Sequence, residues 1–264
     1  MMRALYSAAS GTLAQQFNID VIANNVANVN TSGFKKVRTE FQDLLSQTFK
    51  APGALTAQGT TVPTGIQVGL GTKVSATQRV FLPGSVVQTG NTFDMSIQGE
   101  GFFQVLMPSG ETAYTRDGSF KMDANGLLVT SDGYPMSPNI TIPTDATQVV
   151  ISGDGSISVR QPGSNTLNAV GNLQLARFSN PAGLESVGRN LFMETPGSGT
   201  ALQGQPGQGA FAATNIQQGS LEGSNVQIVE ELVNLISAQR AFEANSKVIS
   251  SGDQALQTIN NIIR

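Results

Sequence analysis

Acidic side chains are the residues of this sequence whose chemistry could most directly support catalysis. Two carboxyl groups on either side of a glycosidic bond can hydrolyse it, one as general acid and the other as base or nucleophile. The central part of the chain offers four candidates for the acid: Asp94, Glu100, Asp117 and Asp132. Their spacing singles out no pair, so a glycan hydrolase is a remote alternative for this protein.

Other common catalytic and binding motifs do not occur in the sequence. The chain contains no His and no Cys, which removes the commonest general base near neutral pH and any thiol nucleophile. The Gly pairs at 69–71 and 99–101 complete no nucleotide-binding loop. The run DANG at 123–126 resembles the start of a calcium loop, but a third ligand and the closing Glu do not follow. We therefore expect no catalytic residue, no metal ion and no other cofactor.

A seven-residue apolar repeat at both ends of the chain is the strongest pattern in the sequence. Such a repeat is typical of helices that supercoil against other helices, because a lone helix cannot bury so narrow a stripe. The chain must therefore close on itself, dock onto neighbouring copies, or do both. Alternatively, the two helices form a layer packed on the central domain. We expect the repeat to form the subunit interface through Leu5, Thr12, Ile19, Ile22 and Val26 and through Ile228, Leu235, Phe242, Ile249, Leu256 and Ile263.

The elements that carry this repeat predict an α+β fold. A helix over about 3–28 and another from about 224 to 262 would together form one discontinuous coiled-coil domain. Ser224 begins a capping-box pattern for the second helix, and Gly252 could introduce a bend. Between the helices, alternating apolar residues and turn glycines at eight-residue spacing predict a central antiparallel β domain.

The chain divides by composition into four segments. The first starts with the N-terminal helix, and its mixed sequence after residue 33 is compatible with a further short helix. The second is rich in Gly and Pro and predicts an extended stretch that is long for an ordinary loop. The third is the β domain, and the fourth carries the last helix. The predicted boundaries are 1–46, 47–74, 75–215 and 216–264.

The charge and hydropathy of the chain exclude several kinds of partner. The net charge of −3 gives no general attraction to nucleic acid or to an anionic membrane. No run approaches the roughly 20 apolar residues of a membrane span, so we expect no membrane insertion. The first residues lack the apolar centre of a cleavable secretory signal. If the protein leaves the cytoplasm, we expect it to do so without such a signal.

Long motifs at both ends identify a family resemblance. The run ANNVANVNTSGFKK at 23–36 resembles the N-terminal signature of bacterial flagellar rod and hook proteins. The run EELVNLISAQRAFEANSKVISSGDQ at 230–254 resembles their paired C-terminal signature, and IQGEGFFQV at 97–105 resembles their shared β domain. The first signature contains Asn24, Asn25, Asn28, Gly33 and Phe34.

The resemblance implies a structural role rather than an enzymatic one. Proteins of this family are exported by the flagellar type III apparatus and polymerise into a helical tube in the basal body, across the periplasm. Expected partners are further copies of the chain, proximal rod proteins, the hook protein, the rod cap and the surrounding P- and L-ring proteins. A peptidoglycan-acting enzyme remains the remote alternative, since such a tube must cross the cell wall.

Residues 47–74 indicate a position within this family. The segment resembles the extended stretch of the distal rod members, which the proximal rod members lack, so we expect a distal rod subunit that forms a stiff drive shaft. A proximal rod or hook subunit is the nearer alternative. We expect the segment to set the stiffness of the tube, since prolines restrict its backbone and apolar side chains offer contacts. The residues expected to do so are Pro52, Leu55, Pro63, Ile66 and Val68.

Overall fold

The computed structural model describes residues 2–53, 63–163 and 166–262, and it contains two compact units. The terminal unit combines Met1–Ala27, Val37–Gln78 and Gln227–Arg264, and the central unit combines Asn28–Lys36 with Arg79–Val226. Each unit therefore contains residues from both ends of the chain. No helix among the described residues is long and apolar enough to cross a membrane.

Two long helices form most of the terminal unit. Helix α1 spans Met2–Ala27 and helix α2 spans Ile228–Ile262. They pack side by side in opposite directions: Leu5 lies beside Gly252, and Gly11 lies beside Asn245. The predicted pairing of the two ends thus occurs within a single chain.

Glycine at position 252 is explained by this close approach of the helices. A Cβ atom at Gly252 would lie 2.5 Å from a Leu5 methyl group, so a larger residue would require the Leu5 side chain to shift. Helix α2 continues through Gly252 without a break. It begins at Ile228, and the Ser224 hydroxyl accepts the N–H of Val226 instead of forming the expected capping box.

The described residues of the terminal unit also form the strands β1 Val37–Asp43, β2 Gln47–Lys50, β3 Ile66–Val68 and β4 Thr72–Arg79. Strand β1 pairs with β4 and lies against α1, and β2 pairs with β3 in a hairpin. The prediction of a short helix within 34–50 is wrong. Its apolar residues do recur at helical spacing, but the pairing of β1 with β4 satisfies the backbone and overrides this local pattern.

The central unit is built from short antiparallel strands. Its described strands are β5 Val86–Gln88, β6 Met95–Gln98, β7 Phe102–Leu106, β8 Thr112–Thr115, β9 Lys121–Met122, β10 Leu128–Val129, β11 Met136–Ser137, β12 Gln148–Ile151, β13 Ser156–Arg160, β14 Asn168–Asn172, β15 Leu175–Arg177, β16 Glu185–Gly188, β17 Leu191–Met193, β18 Leu202–Gly204, β19 Asn215–Gln218 and β20 Ser220–Glu222. The largest sheet has the order β16-β17-β8-β7-β15-β18, with β11 also paired to β7, and β12-β13-β14 form a second sheet. Short 3-10 turns lie at Pro181–Gly183 and Gly209–Phe211.

Strand β7 is buried on both faces, which places it at the centre of the fold. Phe103 packs edge-on against Phe120 with ring centroids 5.2 Å apart, in the larger apolar cluster. The neighbouring Phe102 points to the opposite face and packs edge-on against Phe178 and Phe192. The α+β fold with terminal helices and a central antiparallel β domain is therefore confirmed. The central unit also includes 28–36 and 216–226, whereas the functional division into four segments stays a prediction.

Replacing Gly33 with Ala tests how tightly the central unit closes on the segment after α1. Gly33 has φ +68°, and a Cβ atom there would lie 2.5 Å from the backbone nitrogen of Asp117. We expect Gly33→Ala to lower the free energy of unfolding by roughly 3 kcal/mol or more, since backbone atoms must shift. Gly110→Ala is the matched control, because Gly110 has φ +86° with open space around it. Equal losses in denaturant titrations of the two variants would contradict the predicted close approach.

Candidate assembly surfaces

The four candidate acids do not assemble into a glycan-binding cleft. Asp94 is buried and accepts hydrogen bonds from Thr89 and Asn91, and exposed Glu100 pairs with Arg177. The other two line one cavity of about 40 Å³, far below the several hundred Å³ of a usual ligand pocket. A larger groove of about 570 Å³ contains no titratable side chain. In the described part of the chain, no group of three or more acidic residues could hold a metal ion.

Most residues of the predicted heptad columns are half-buried. In α1, Ile22 is buried, and Leu5, Thr12, Ile19 and Val26 are half-buried. In α2, Leu235, Phe242 and Ile249 are half-buried, Ile228 and Leu256 are exposed, and Ile263 lies outside the described residues. Because the half-buried side chains share the faces on which the helices meet, the columns serve the intrachain pair first. Their role between subunits stays a prediction.

Residues that the apolar pattern did not single out also take part in the packing of the helix pair. Ala238 is buried in α2, and Gly11 of α1 faces the amide of Asn245. The Asn25 side chain joins three parts of the terminal unit. Its Oδ1 accepts the N–H of Val37 at 2.9 Å, and its Nδ2 donates to the Val37 carbonyl and to Glu231 Oε2. In the sequence, the only feature that marked Asn25 was its place in the family signature at 23–36.

Each helix also exposes an apolar face that the terminal unit leaves uncovered. On α1 this outer face consists of Met2, Tyr6, Leu13 and Phe17, and Leu13 is 69% exposed. On α2 it consists of Ile228, Val229, Leu232, Val233 and Ile236, and Val229 is 76% exposed. Residues at these spacings lie on one side of a helix. Contiguous exposed apolar side chains indicate a surface for another protein chain.

Strands β2 and β3 are both exposed along their lengths. Phe49, Ile66 and Val68 expose apolar side chains, and the Arg3 guanidinium lies 4.8 Å from the centre of the Phe49 ring. Pro52 and Pro63 are exposed as well, and Leu55 lies outside the described residues. A hairpin with apolar side chains in water can contact a neighbouring molecule, but its role in stiffness stays a prediction.

Three charged side chains are buried together in the central unit, next to the loop that follows α1. Glu222 accepts hydrogen bonds from Lys35 and, at 3.1 Å, from Arg116. Burial lowers the pKa of Lys35 below its ordinary value, although the Glu222 carboxylate opposes the shift. No sequence pattern predicted this cluster, because the three residues lie far apart along the chain. Phe34 is buried beside it, and its ring lies 5.8 Å from the Arg79 guanidinium.

Burial also shifts the pKa of a carboxyl group near this cluster. It raises the pKa of Asp117 above the ordinary 3.8, while hydrogen bonds from Ser119 and Asn190 partly oppose the shift. The pKa of the turn residue Asp123 shifts in the opposite direction. Hydrogen bonds, above all from the backbone of Leu127, lower its pKa.

Comparing Asp117→Asn with the unmodified chain tests this burial. Asp117 holds its proton to higher pH when folded, so its contribution to stability declines as the pH rises from 3.8 through its raised pKa. Because Asn cannot ionise, the stability of Asp117→Asn relative to the unmodified chain should increase over that range. Denaturant titrations at a series of pH values measure the difference. Asp123→Asn should show the opposite trend, and a flat profile for Asp117→Asn would contradict the assignment.

Three family models match separate parts of the chain. Residues 5–35 match the model described as Flagella basal body rod protein. Residues 96–159 match the Flagellar hook protein FlgE/F/G D1 domain, and residues 217–262 match the Flagellar basal body rod FlgEFG protein C-terminal. The matches cover both helical ends and the first half of the central β domain.

Curated relatives match the chain over its whole length. The Flagellar basal-body rod protein FlgG of Borreliella burgdorferi is 50% identical, with 100% of both chains covered. The protein of the same name from Caulobacter vibrioides is 48% identical, with 99% of both chains covered. The Flagellar hook-basal body complex protein FlhP of Bacillus subtilis is more distant, at 31% identity with 99% of this chain and 100% of the relative covered.

Proposed function

The chain belongs to the family of flagellar basal-body rod proteins, and from this premise we propose how its surfaces build the distal rod. The protein is a structural subunit of the basal-body rod, and its family implies a non-enzymatic role. In our proposal it polymerises into a stiff hollow helical shaft that transmits torque from the motor to the hook.

The observation that carries this proposal is the uncovered apolar face on each terminal helix. Full burial of one large apolar side chain stabilises a contact by about 1.5–3 kcal/mol. Val229 and Leu13 are each more than two-thirds exposed, so most of this stabilisation is still available to a neighbouring chain. The inner faces are already used by the pair of α1 and α2.

Repetition of one such contact gives a tube. The outer face of α1 in one subunit and the outer face of α2 in the next are different surfaces. A contact between two different surfaces is passed on from copy to copy and generates an open helix unless the rotation closes a ring. We propose that the helix pairs form the inner layer of this tube, completed by the heptad-column residues that remain half-buried in one chain.

The partners of the rod follow from the same proposal. The ends of the distal rod would contact the proximal rod proteins on one side and the hook protein on the other, with the rod cap at the growing tip. The P- and L-ring proteins would surround the shaft in the periplasm. We further propose that the flagellar type III apparatus exports the subunit. The full-length relatives named rod protein FlgG favour this reading over a hook subunit.

The outer face of α2 can be tested by a single charge. We expect Val233→Asp to prevent polymerisation, because a carboxylate buried without a partner costs several kcal/mol at every subunit contact. Val233 is 61% exposed in one chain, so the monomer should keep its helical circular dichroism. Sedimentation and electron microscopy of concentrated protein would measure assembly, and swimming assays would measure its effect in cells.

Two further variants separate the outer face from the inner one. Asn234→Asp places the same charge on the exposed neighbouring residue and should leave assembly unchanged. Phe242→Asp should also stop assembly, but because Phe242 is half-buried on the inner face it should loosen the monomer's helix pair too. If Val233→Asp protein forms normal polymers, the outer face of α2 is not a subunit interface.

Removing the exposed hairpin tests the proposed role of residues 47–74 in stiffness. The N–H of Leu44 donates to the carbonyl of Gly71 at 2.9 Å, so an Asn-Gly turn can replace residues 47–68 and still join β1 to β4. We expect this variant to fold and to assemble, but into flexible or curved tubes, since the hairpin no longer links neighbouring subunits. Straight tubes of unchanged persistence length would show that the hairpin does not stiffen the rod.

A further inference from the structure

Lys35, Arg116 and Glu222 form a buried ion cluster that is not part of the proposed assembly surfaces. Their side chains are 0%, 3% and 1% exposed, and two cations share one carboxylate. Lys35 also donates to the carbonyl of Leu82, and Arg116 to the carbonyl of Gly99. The cluster joins remote parts of the chain, since Glu222 lies 187 residues after Lys35 and 106 after Arg116.

The backbone segments around the cluster also lie in close contact with one another. The N–H of Gly33 donates to the Glu222 carbonyl at 2.8 Å, and the N–H of Gly84 donates to Glu222 Oε1 at 3.0 Å. A Cβ atom at Gly84 would lie 2.0 Å from the carbonyl oxygen of Gly223. The segment that contains Glu222 therefore fits between two segments from the first third of the chain.

Residues just after Glu222 add further hydrogen bonds between the same segments. The Asn225 side chain accepts the N–H of Lys36 at 2.7 Å and donates to the carbonyl of Val80 at 2.8 Å. Strand β20 pairs with β5, and Ser220 shares a hydrogen bond with Ser96. Thus the last stretch before α2 completes a site whose other parts come before residue 117.

A buried cation is tolerated only when a partner offsets the loss of its hydration. Without Glu222, the structure would bury two like charges with only carbonyl oxygens to face them. Water would have to enter, so the residues around Lys35 and Arg116 could not pack. Carbon side chains of similar size would impose no such condition, because they need no partner.

We propose that the cluster of Lys35, Arg116 and Glu222 is a completion lock. It prevents the central unit from reaching its packed state until the segment after α1 and the segment before α2 have both taken their places. An incomplete or partly delivered chain then stays open, and the central unit closes in one step when Glu222 docks. This device regulates folding and does not depend on what the finished subunit assembles with.

Pulsed hydrogen exchange during refolding of the full chain tests the order of events. In the unmodified protein, the amides of β7, β8 and β20 should gain protection in the same kinetic phase. In the variant that combines Lys35→Met, Arg116→Met and Glu222→Met, β7 and β8 should gain protection ahead of β20. The reason is that the Met side chains can be buried before the segment with residue 222 docks. Protection of β7 and β8 before β20 in the unmodified protein would overturn the proposal.

Native-state exchange of Glu222→Gln gives a second test. The variant should speed exchange at least about a hundredfold in β7 and β8, which lie outside the strand that carries the substitution. Faster exchange confined to β5 and β20 would mean a local anchor and would overturn the lock. Glu100→Gln is the matched control, because Glu100 makes an exposed ion pair with Arg177 in the same unit and should change nothing. If Glu222→Gln does not fold, the refolding experiment on the unmodified chain decides the question.

Discussion

The terminal unit depends on the contact between α1 and α2, because neither helix can bury its inner stripe without the other. Small residues let the helices approach closely: Gly11 and Gly252 each face a side chain of the partner helix. Asn25 then ties the end of α1 to β1 and to the first turn of α2. Without these contacts, two helices of 26 and 35 residues would have to be ordered against the entropy of the free chain.

The pairing of the inner faces determines which surfaces remain for other subunits. A helix has a limited circumference, so the residues turned toward the partner helix offer only their uncovered part to a contact between copies. The outer faces, such as the one that contains Leu13 and Phe17, therefore provide the exposed apolar area from which a polymer can grow. The division between an inner face for the monomer and an outer face for the polymer follows from helix geometry alone.

The central unit depends on a different kind of interaction. Its apolar clusters bury hydrophobic surface, which needs no particular partner. The side chains of Lys35, Arg116 and Glu222, in contrast, can be buried only next to one another. A buried ion pair contributes little net stability, because both ions lose their hydration. Removal of one partner is nevertheless costly, because it leaves the other ion buried and unpaired. Such a cluster therefore decides which segments come together more than how strongly they hold.

The sequence by itself determined the two terminal helices, the β domain between them and the family, because apolar period, turn glycines and long motifs are local properties of the chain. It did not determine that 37–43 forms a strand, since strand pairing is decided by a partner elsewhere, here β4. Nor did it distinguish the inner from the outer helical face, because both carry apolar residues at helical spacing. Lys35 and Glu222 read in the sequence as ordinary surface charges. Only the tertiary structure, which brings residues 187 positions apart into contact in the interior of the central unit, makes them a buried pair.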